Sequence, residues 1–498
     1  MNNGKICVSV CATNVEELAA RVRSVTFADL VELRLDCLEH LPESLSMLGI
    51  KSSMIATFRP SDQGGNKVID LDERKRFWTN FRYECGADLE ADVIEFASDA
   101  ISPKICSDHD FSGTVPDVDE TYRQLAETDA DIIKIAISAK DSIDSIPVWR
   151  LLRRAAFDKK GLIPVAMGEA GKWTRILGLA HGAYLTYASA ETGSETAPGQ
   201  ITAREMIDVY RVKELDEQTE VYGIIAGDTS YTMSPYIHNA AFKAKGLNAV
   251  FVPFQVGDLD AFITRIVRPE TREVDLNFRG FSVTNPHKQA ITHYVDHSDE
   301  AASKIGAVNT IKMMDGKLYG YNTDAEGFIS PLRAKYGLSG THAAVIGAGG
   351  AARACIYALK NAGTNVTVFA RDIDKAQTLS HDFDVGIEKL ETANSKLGTD
   401  FSNFDIVVNS TPLGTRGERL RETAATAEQL AEVKLVYDLV YNPSETLLLQ
   451  EAKRAGAETL GGFDMLMAQA MRQFEIWTRM SAPVNEMSAA AKKRLYDS

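Results

Sequence analysis

The sequence predicts an α/β chain in which an N-terminal (β/α)8 barrel is followed by a two-domain α/β region with a Rossmann-type domain. Up to about residue 213, eight short apolar, β-rich runs alternate with polar or helical stretches. A glycine turn at Gly347–Gly350 separates a strand-like from a helix-like segment. The length of 498 residues also exceeds what one hydrophobic core usually supports.

The barrel strands are predicted at Ile6–Val10, Leu30–Leu35, Met54–Phe58, Asp92–Phe96, Lys104–Cys106, Asp131–Ile137, Leu162–Met167 and Ala183–Tyr187, each a run of apolar and β-branched residues between polar stretches. Between the fourth and fifth, Ala97–Pro103 is short for a crossover helix. The charge-dense segment Lys213–Glu220 marks a domain boundary, and Val221–Ala226 starts a new buried strand. Further on, Ala343–Ile346 reads as a strand, Ala351–Asn361 as a helix and Asn365–Ala370 as a second strand, a βαβ unit. A helical tail, Met465–Met480, follows Gly461-Gly462. The expected domains are residues 1–213, then 221–335 together with 463–498, with the Rossmann-type domain inserted at 336–462.

The composition, 45% hydrophobic and 25% charged, is that of globular protein. A formal charge of -15 argues against nucleic acid or an anionic membrane as partner, so small anionic ligands need local clusters of Arg and Lys. No apolar stretch approaches the roughly 18 to 20 residues of a membrane span. The six cysteines fall mostly in apolar runs and the chain leads directly into a strand, which predicts reduced thiols and a cytoplasmic location.

Lys134 lies inside the apolar run Asp131–Ile137, where loss of hydration favours the neutral amine, a nucleophile able to attack a ketone; a stem that snorkels to the strand end is the competing reading. His109 falls just past the preceding strand, where barrel active sites assemble, although a lone histidine is often structural. Glu32, Arg34 and Asp36 alternate at period two and share a face that a barrel directs inward. Arg59 and Arg175 follow the third and seventh strands, and converging guanidinium groups suit a carboxylate.

These residues carry a resemblance. Glu32-Leu-Arg34, Thr57-Phe-Arg59 with Gly64-Gly65, His109-Asp-Phe111, Lys134, Trp173-Thr-Arg175 and Ala197-Pro-Gly-Gln200 make the first half similar to type I 3-dehydroquinate dehydratases. The resemblance implies a Schiff base on Lys134, His109 as the base and acid, and Arg175 and Gln200 holding the substrate, with Glu32, Arg34 and Arg59 completing the pocket. Thr196 stands where the family has Ser. Gln63 stands where it has a Glu that orients the histidine, which points to a slower or pH-shifted dehydratase.

In the second half, Gly347-Ala-Gly-Gly-Ala-Ala-Arg353 fits the G-x-G-x-x-A dinucleotide turn, with Gly347, Gly349, Gly350 and Ala351 beside the pyrophosphate. The second strand ends in Ala370-Arg371 rather than an acid, and Arg371 with Lys375 favours the 2′-phosphate of NADP. Phe281–Lys288 reads as a strand entering a proline turn that presents Lys288, and Ala307–Thr310 and Gly320–Asp324 are each expected to close a strand with small polar residues. A Lys288–Asp324 pair within hydrogen-bond reach could pass a proton to an alkoxide formed by hydride addition.

From about Tyr222 onward the chain resembles shikimate dehydrogenases, on Thr232-Met-Ser-Pro235, Val283-Thr-Asn-Pro-His-Lys288, Ala307-Val-Asn309, Asn322-Thr-Asp324, the glycine turn, Asn409-Ser-Thr-Pro-Leu-Gly414, Asp438-Leu-Val-Tyr441 and Gln469. The resemblance implies catalysis by Lys288 and Asp324. It implies substrate contacts from Thr232, Ser234, Thr284, Asn309, Tyr441 and Gln469, and cofactor contacts from Thr411, Ala370 and Gly461. Thr232 replaces the usual first Ser of the carboxylate-binding loop, which leaves quinate tolerance open.

Together the resemblances imply dehydration of 3-dehydroquinate to 3-dehydroshikimate, then NADPH-dependent reduction to shikimate, with no metal. Two alternatives stand beside this: a quinate/shikimate dehydrogenase with a degenerate barrel, motivated by Gln63, and a non-catalytic metabolite-sensing protein. Oligomeric state is not legible.

Overall fold

The computed structural model describes residues 2–41, 45–113, 117–391, 399–417 and 419–496, apart from the Lys375 side chain. Two compact units form: Met1–Pro235 with Gly246–Phe278, and Tyr236–Lys245 with Arg279–Ser498.

The first unit holds eight parallel strands: β1 (Ile6–Val10), β2 (Leu30–Arg34), β3 (Met54–Thr57), β4 (Gly86–Leu89), β5 (Lys104–Asp110), β6 (Ile132–Ser138), β7 (Gly161–Met167) and β8 (Thr186–Ser189). Neighbours pair in sequence from β1 to β7, and β8 pairs with β1. Where β7 meets β8, Tyr184 N–H donates to the Leu162 carbonyl at 2.8 Å and draws the ring nearly closed. Inward-facing Cys7, Ile55, Ile105, Ile132, Ala136, Ile163 and Val165 pack with Tyr187 as the barrel core. Two further parallel strands of this unit, β9 (Glu220–Ala226) and β10 (Ala249–Gln255), pair over their full length.

The second unit carries an antiparallel group, β11 (Asn277–Val283), β13 (Thr310–Met314) and β14 (Lys317–Tyr321), with the two-residue β12 (His297–Ser298) parallel to β14. It also carries a six-stranded parallel sheet. Its strands are β15 (His342–Ile346), β16 (Asn365–Ala370), β17 (Gly386–Lys389), β18 (Ile406–Asn409), β19 (Leu435–Asp438) and β20 (Glu458–Gly461), in the order β17-β16-β15-β18-β19-β20. Alternate residues feed opposite cores: Ala343, Val345, Ile406, Val408 and Tyr437 pack on one face, and Ala344, Ile346, Val407 and Val436 on the other. Burial on both faces explains the near-continuous apolar runs in the sequence. The helix Gly350–Asn361 and the strand Asn365–Ala370 match expectation, and the predicted helical tail runs Gly462–Thr478.

Several expectations need correction. The fourth strand is Gly86–Leu89, not Asp92–Phe96, where Ile94–Phe96 instead forms a 3-10 turn that buries Val93 and Ile94. The apolar spacing there seats a crossover on the barrel rather than a strand in it. Moving the strand earlier removes the difficulty of the short Ala97–Pro103 connection. The fifth strand extends to Asp110 and includes His109, and the eighth lies a few residues later than expected. Ala307–Thr310 leads into β13 rather than closing a strand, because the ladder with β14 begins at Thr310. The thiols are not all reduced: Cys11 and Cys37, with Cα atoms 5.6 Å apart, form a disulfide, while Cys7, Cys85, Cys106 and Cys355 are free and buried.

Candidate active sites

Strand register assembles the barrel site. Arg34 pairs with Thr57, Thr57 with Asp88, Asp88 with Ile105, and Ile105 with Ile132, two residues before Lys134. Because side chains alternate, all of these point to one face, and barrel closure turns that face inward. A cavity of about 190 Å³ results, lined by Glu32, Arg34, Arg59, His109, Lys134, Arg175, Thr196 and Gln200, whereas Asp36 stands behind it as the partner of Arg34.

Lys134 Nζ donates to Asp88 Oδ2 at 2.6 Å and sits 4.3 Å from the centre of the Tyr187 ring. Burial pulls its ammonium below the ordinary lysine value, against the opposing attraction of Asp88. Arg59 Nη2 lies 2.5 Å from Asp88 Oδ1, so one carboxylate serves two cations. Burial alone would raise the Asp88 carboxyl, but Arg59 and Lys134 hold it well below the usual carboxylate range. Asp88 escapes sequence reasoning because its strand was placed at Asp92–Phe96. The short run Gly86-Ala-Asp-Leu89, an acid flanked by apolar residues just before Lys104–Cys106, is the signal that could have found it.

Arg59 Nη1 also donates to Ser107 Oγ at 3.0 Å and approaches the His109 ring, 2.6 Å from Nδ1 and 3.0 Å from Nε2. Burial, then the charges of Arg59 and Lys134, hold the imidazole well below the ordinary histidine value. A neutral ring is the form that accepts a proton. Gln63 Oε1 accepts from the His109 backbone N–H at 2.9 Å, so it fixes the histidine's main chain, while Arg59 approaches the ring nitrogens and Phe111 stacks on the ring. That differs from the ring-orienting role expected of this position. The turn reaching Gln63 folds tightly: a Cβ on Gly65 would lie 1.9 Å from the Arg59 carbonyl oxygen, so only glycine fits.

Glu32 is fixed by hydroxyls from Ser9 at 2.5 Å and Thr57 at 2.8 Å. Arg34 forks onto Asp36, at 2.9 and 2.8 Å, and donates to the Gly64 carbonyl. Arg175, on the helix Lys172–Leu177, is 3% exposed, and its Nε and Nη2 have no hydrogen-bond partner among the described residues. Burial pulls its guanidinium down to about 10, which leaves it charged at neutral pH. An unpartnered buried cation facing a cavity is a receptor for an anion. Gln200 Nε2 donates to Thr196 Oγ1 at 3.2 Å and Ser9 Oγ at 3.4 Å, tying the loop after β8 to the barrel.

In the second unit, Lys288 Nζ donates to Asp324 Oδ2 at 2.6 Å. Asp324 opens the helix Asp324–Lys335, and its other oxygen accepts from Asn309 Nδ2 at 2.8 Å. Asn309 Nδ2 also donates to Thr323 Oγ1, and Asn309 Oδ1 accepts from Thr323 N–H, so the amide is locked on both sides. Behind it, Gln473 donates to the Asn309 carbonyl at 3.3 Å and accepts from Ser282 Oγ at 2.8 Å. Gln473 was not singled out in the sequence, and its one-turn spacing from Gln469 on the same helix is the only hint. Gln469 donates to Leu466 of its own helix, and its backbone crowds Gly327 of the Asp324 helix. Thr284 is half-buried between β11 and the cis Asn285–Pro286 bond, and Tyr441 half-buried beyond β19. Thr232 accepts from Ser234 N–H in the first unit.

A cleft of about 330 Å³ beside the parallel sheet is lined by Gly347, Gly349, Ala370, Arg371 and Thr411 among the expected cofactor residues. Gly347 has φ +117°, and a Cβ there would sit 2.6 Å from Ser410 Oγ, so side-chain-free backbone forms the cradle. Arg371 stands exposed at its rim, beside Asp372. Gly350 and Ala351 begin the helix whose N-terminus follows the turn, and a Cβ on Gly350 would lie 3.8 Å from Lys288 Cδ, so turn and lysine are neighbours. Gly461 ends β20, paired with Asp438. The Lys375 side chain lies outside the described residues. The glycine cradle and the basic rim fit a dinucleotide phosphate.

Comparisons with known proteins match both halves of the chain. Residues 6–217 match the model of type I 3-dehydroquinases, 224–311 that of the shikimate dehydrogenase substrate binding domain, and 332–439 that of shikimate / quinate 5-dehydrogenases. A bifunctional 3-dehydroquinate dehydratase/shikimate dehydrogenase of Arabidopsis thaliana, a chloroplastic protein, is 34% identical over 97% of this chain and 83% of its own length. A shikimate dehydrogenase (NADP(+)) of Methanocaldococcus jannaschii is 39% identical over 55% of this chain and 97% of its own. A crystal structure of a shikimate dehydrogenase in complex with NADP+ superposes with a TM-score of 0.51 at 35% identity, over 56% of this chain and 97% of that one. With both halves matched in order along one polypeptide, the chain belongs to the bifunctional 3-dehydroquinate dehydratase/shikimate dehydrogenase family.

Proposed function

We propose that this chain dehydrates 3-dehydroquinate to 3-dehydroshikimate at the barrel cavity and reduces that product to shikimate at the Lys288–Asp324 site. The observation that carries the reading is one barrel cavity shared by a buried amine, a histidine and an arginine whose Nε and Nη2 have no partner among the described residues. Arg175 grips the substrate carboxylate, and Gln200 and Thr196 meet its hydroxyls. Lys134 attacks the ketone and becomes an iminium, which acidifies the neighbouring C–H. His109 removes that proton and returns it to the departing hydroxyl. Glu32, Arg34 and Arg59 complete the pocket wall.

At the second site, NADPH when bound supplies a hydride to the carbonyl carbon. Lys288, oriented by Asp324, gives a proton to the carbonyl oxygen as it becomes a hydroxyl, and Asn309 keeps the carboxylate turned toward the lysine. Ser234, Thr232, Thr284, Tyr441 and Gln469 are assigned to the ring's carboxylate and hydroxyls. Gly347, Gly349, Gly350, Ala351 and Thr411 are assigned to the cofactor's pyrophosphate side, Ala370, Arg371 and Lys375 to its 2′-phosphate, and Gly461 to the nicotinamide side.

The domains assigned to these functions are 1–213, 221–335 with 463–498, and 336–462, bounds that differ from the two compact units, in which Gly246–Phe278 groups with the barrel. The products belong to the route to chorismate and the aromatic amino acids. The four free buried thiols support a cytoplasmic location, the Cys11–Cys37 disulfide runs against it, and the net charge of -15 disfavours a nucleic-acid partner. No helix among the described residues is long and apolar enough to cross a membrane. The decisive assay mixes purified chain with 3-dehydroquinate and NADPH, expecting NADPH to be consumed without any added enzyme. Consumption from 3-dehydroshikimate alone would reduce the barrel to a degenerate passenger. No consumption from either, with retained binding, would leave a sensor.

A further inference from the structure

We propose that Asp88 is the counter-ion of the covalent intermediate, the buried anion that carries the positive charge of the Lys134 iminium. The proposal rests on the Schiff-base reading of Lys134 and adds to it a residue that neither the sequence motifs nor the expected pocket contained.

The geometry is specific. Asp88 is 1% exposed, and its two oxygens face two cations of the site, Oδ2 at 2.6 Å from Lys134 Nζ and Oδ1 at 2.5 Å from Arg59 Nη2. Asp88 lies behind the cavity wall, against Lys134 and Arg59, and Glu32, the acid that lines the cavity itself, has its oxygens accepting hydroxyls from Ser9 and Thr57. Glu90 lies 4.0 Å from Arg59 and faces Arg74. Asp88 is therefore the carboxylate directed at the reacting nitrogen. Arg59 keeps it anionic whatever state that nitrogen is in, because an ion pair with a guanidinium outlasts the lysine's change of charge. Tyr187 covers the same nitrogen with its ring and brings its hydroxyl within 3.5 Å of Asp88 Oδ2, which closes the pair from the remaining side.

Charge accounting gives the carboxylate its function. Ammonium and ketone combine to iminium and water: the C–N bond forms, the carbonyl C–O bond breaks, and two of the three ammonium protons leave with the oxygen. One positive charge stands beside Asp88 before and after. When His109 takes the C–H proton, the nitrogen becomes part of a neutral enamine. When the hydroxyl departs with that proton, the charge returns as the product iminium, and water restores ketone and ammonium. A fixed anion in a water-poor cavity stabilises each charged state without reorganising. Without it, an iminium between Arg59 and a desolvated cavity would face a like charge unopposed.

The test is borohydride trapping with 3-dehydroquinate in the full-length protein, followed by peptide mapping. Wild-type chain is expected to be trapped on Lys134. Its absence overturns the Schiff-base reading and this proposal with it. Asp88→Asn is expected to lower kcat by at least ~100-fold, the scale of losing a preorganised electrostatic contact, with the trapped fraction falling in parallel. Asp88→Glu, which keeps the charge, is expected to recover most of the trapping. Thermal unfolding and noncovalent binding of 3-dehydroquinate, compared between Lys134→Ala and Lys134→Ala/Asp88→Asn, separate charge from packing: the double variant is expected to unfold at a lower temperature, because Arg59 loses its buried partner, and still to bind the ligand. Trapping and turnover unaffected by Asp88→Asn, or equal losses in Asp88→Asn and Asp88→Glu, overturn the proposal.

Discussion

The barrel and the dehydrogenase half each hold an ammonium against a carboxylate at 2.6 Å, Lys134 on Asp88 and Lys288 on Asp324, yet the two pairs live in different company. The Lys134 and Asp88 side chains are 9% and 0% exposed, and Arg59 and His109 crowd the same few ångströms. The Lys288 side chain is 20% exposed, and its partner Asp324 is braced by the neutral groups of Asn309. On the proposed Schiff-base reading the barrel nitrogen has to give up a proton before it attacks, and burial weakens its hold on that proton. A site that only moves a proton needs a fixed direction, and an amide brace provides it. The same contact is chemical equipment in one half and orientation in the other.

The largest effect should come from separating the halves by mutation. Lys134→Ala is expected to lower dehydratase turnover by more than about 10³-fold while dehydrogenase turnover stays within about twofold, since no step of the second site needs that amine. Steady-state assays of each half-reaction in the same preparation read this. Equal losses in both would mean that the sites are not independent. The mirror experiment is Lys288→Ala, expected to lower 3-dehydroshikimate reduction by about 10² to 10⁴-fold, the usual contribution of a positioned proton donor, and to leave dehydration intact. Asp324→Asn should lose less, because Asn309 would still meet an amide at that place.

The same contrast explains what could be read from the sequence. The reactive residues of both halves carry their own local signature: an amine within an apolar strand, a glycine turn between strand and helix, a lysine after a proline turn. What was missed depends on placement across strands. Asp88 becomes visible only when β4 is put at Gly86–Leu89, and the apolar 3-10 turn at Ile94–Phe96 imitates a strand well enough to hide it. Gln473 is invisible for a related reason, since its value is to sit behind Asn309, a contact made between elements far apart in the chain. The Cys11–Cys37 bond also joins segments whose proximity only the barrel creates. Local chemistry is written locally, whereas the groups that tune it are supplied by the fold.

A smaller effect tests the cofactor side. Arg371→Ala removes the exposed guanidinium at the rim of the Gly347 cleft, and the KM for NADPH is expected to rise about 10-fold, the weaker end of a charge-assisted contact in solvent. The KM for NADH should hardly move, because it lacks the 2′-phosphate. Equal changes with both cofactors would mean that Arg371 shapes the cleft rather than reading the phosphate.

The smallest effect returns to the barrel and to how its histidine is tuned. His109 acts as a base only when neutral, and burial, Arg59 and Lys134 hold it well below the ordinary histidine value. The acid limb of dehydratase kcat/KM is therefore expected below the usual histidine range: activity persists as pH falls through that range and is lost only when the depressed group protonates. Gln63→Glu keeps the acceptor for the His109 backbone N–H but adds a negative charge beside the histidine's main chain. That charge favours imidazolium, so the limb should move toward higher pH by about one unit, at the low end of what a nearby opposite charge does. Turnover above the limb should change little, since the neutral ring is unaltered there. A pH–rate series on both proteins decides the matter. An unmoved limb would show that Arg59, and not position 63, controls the ring.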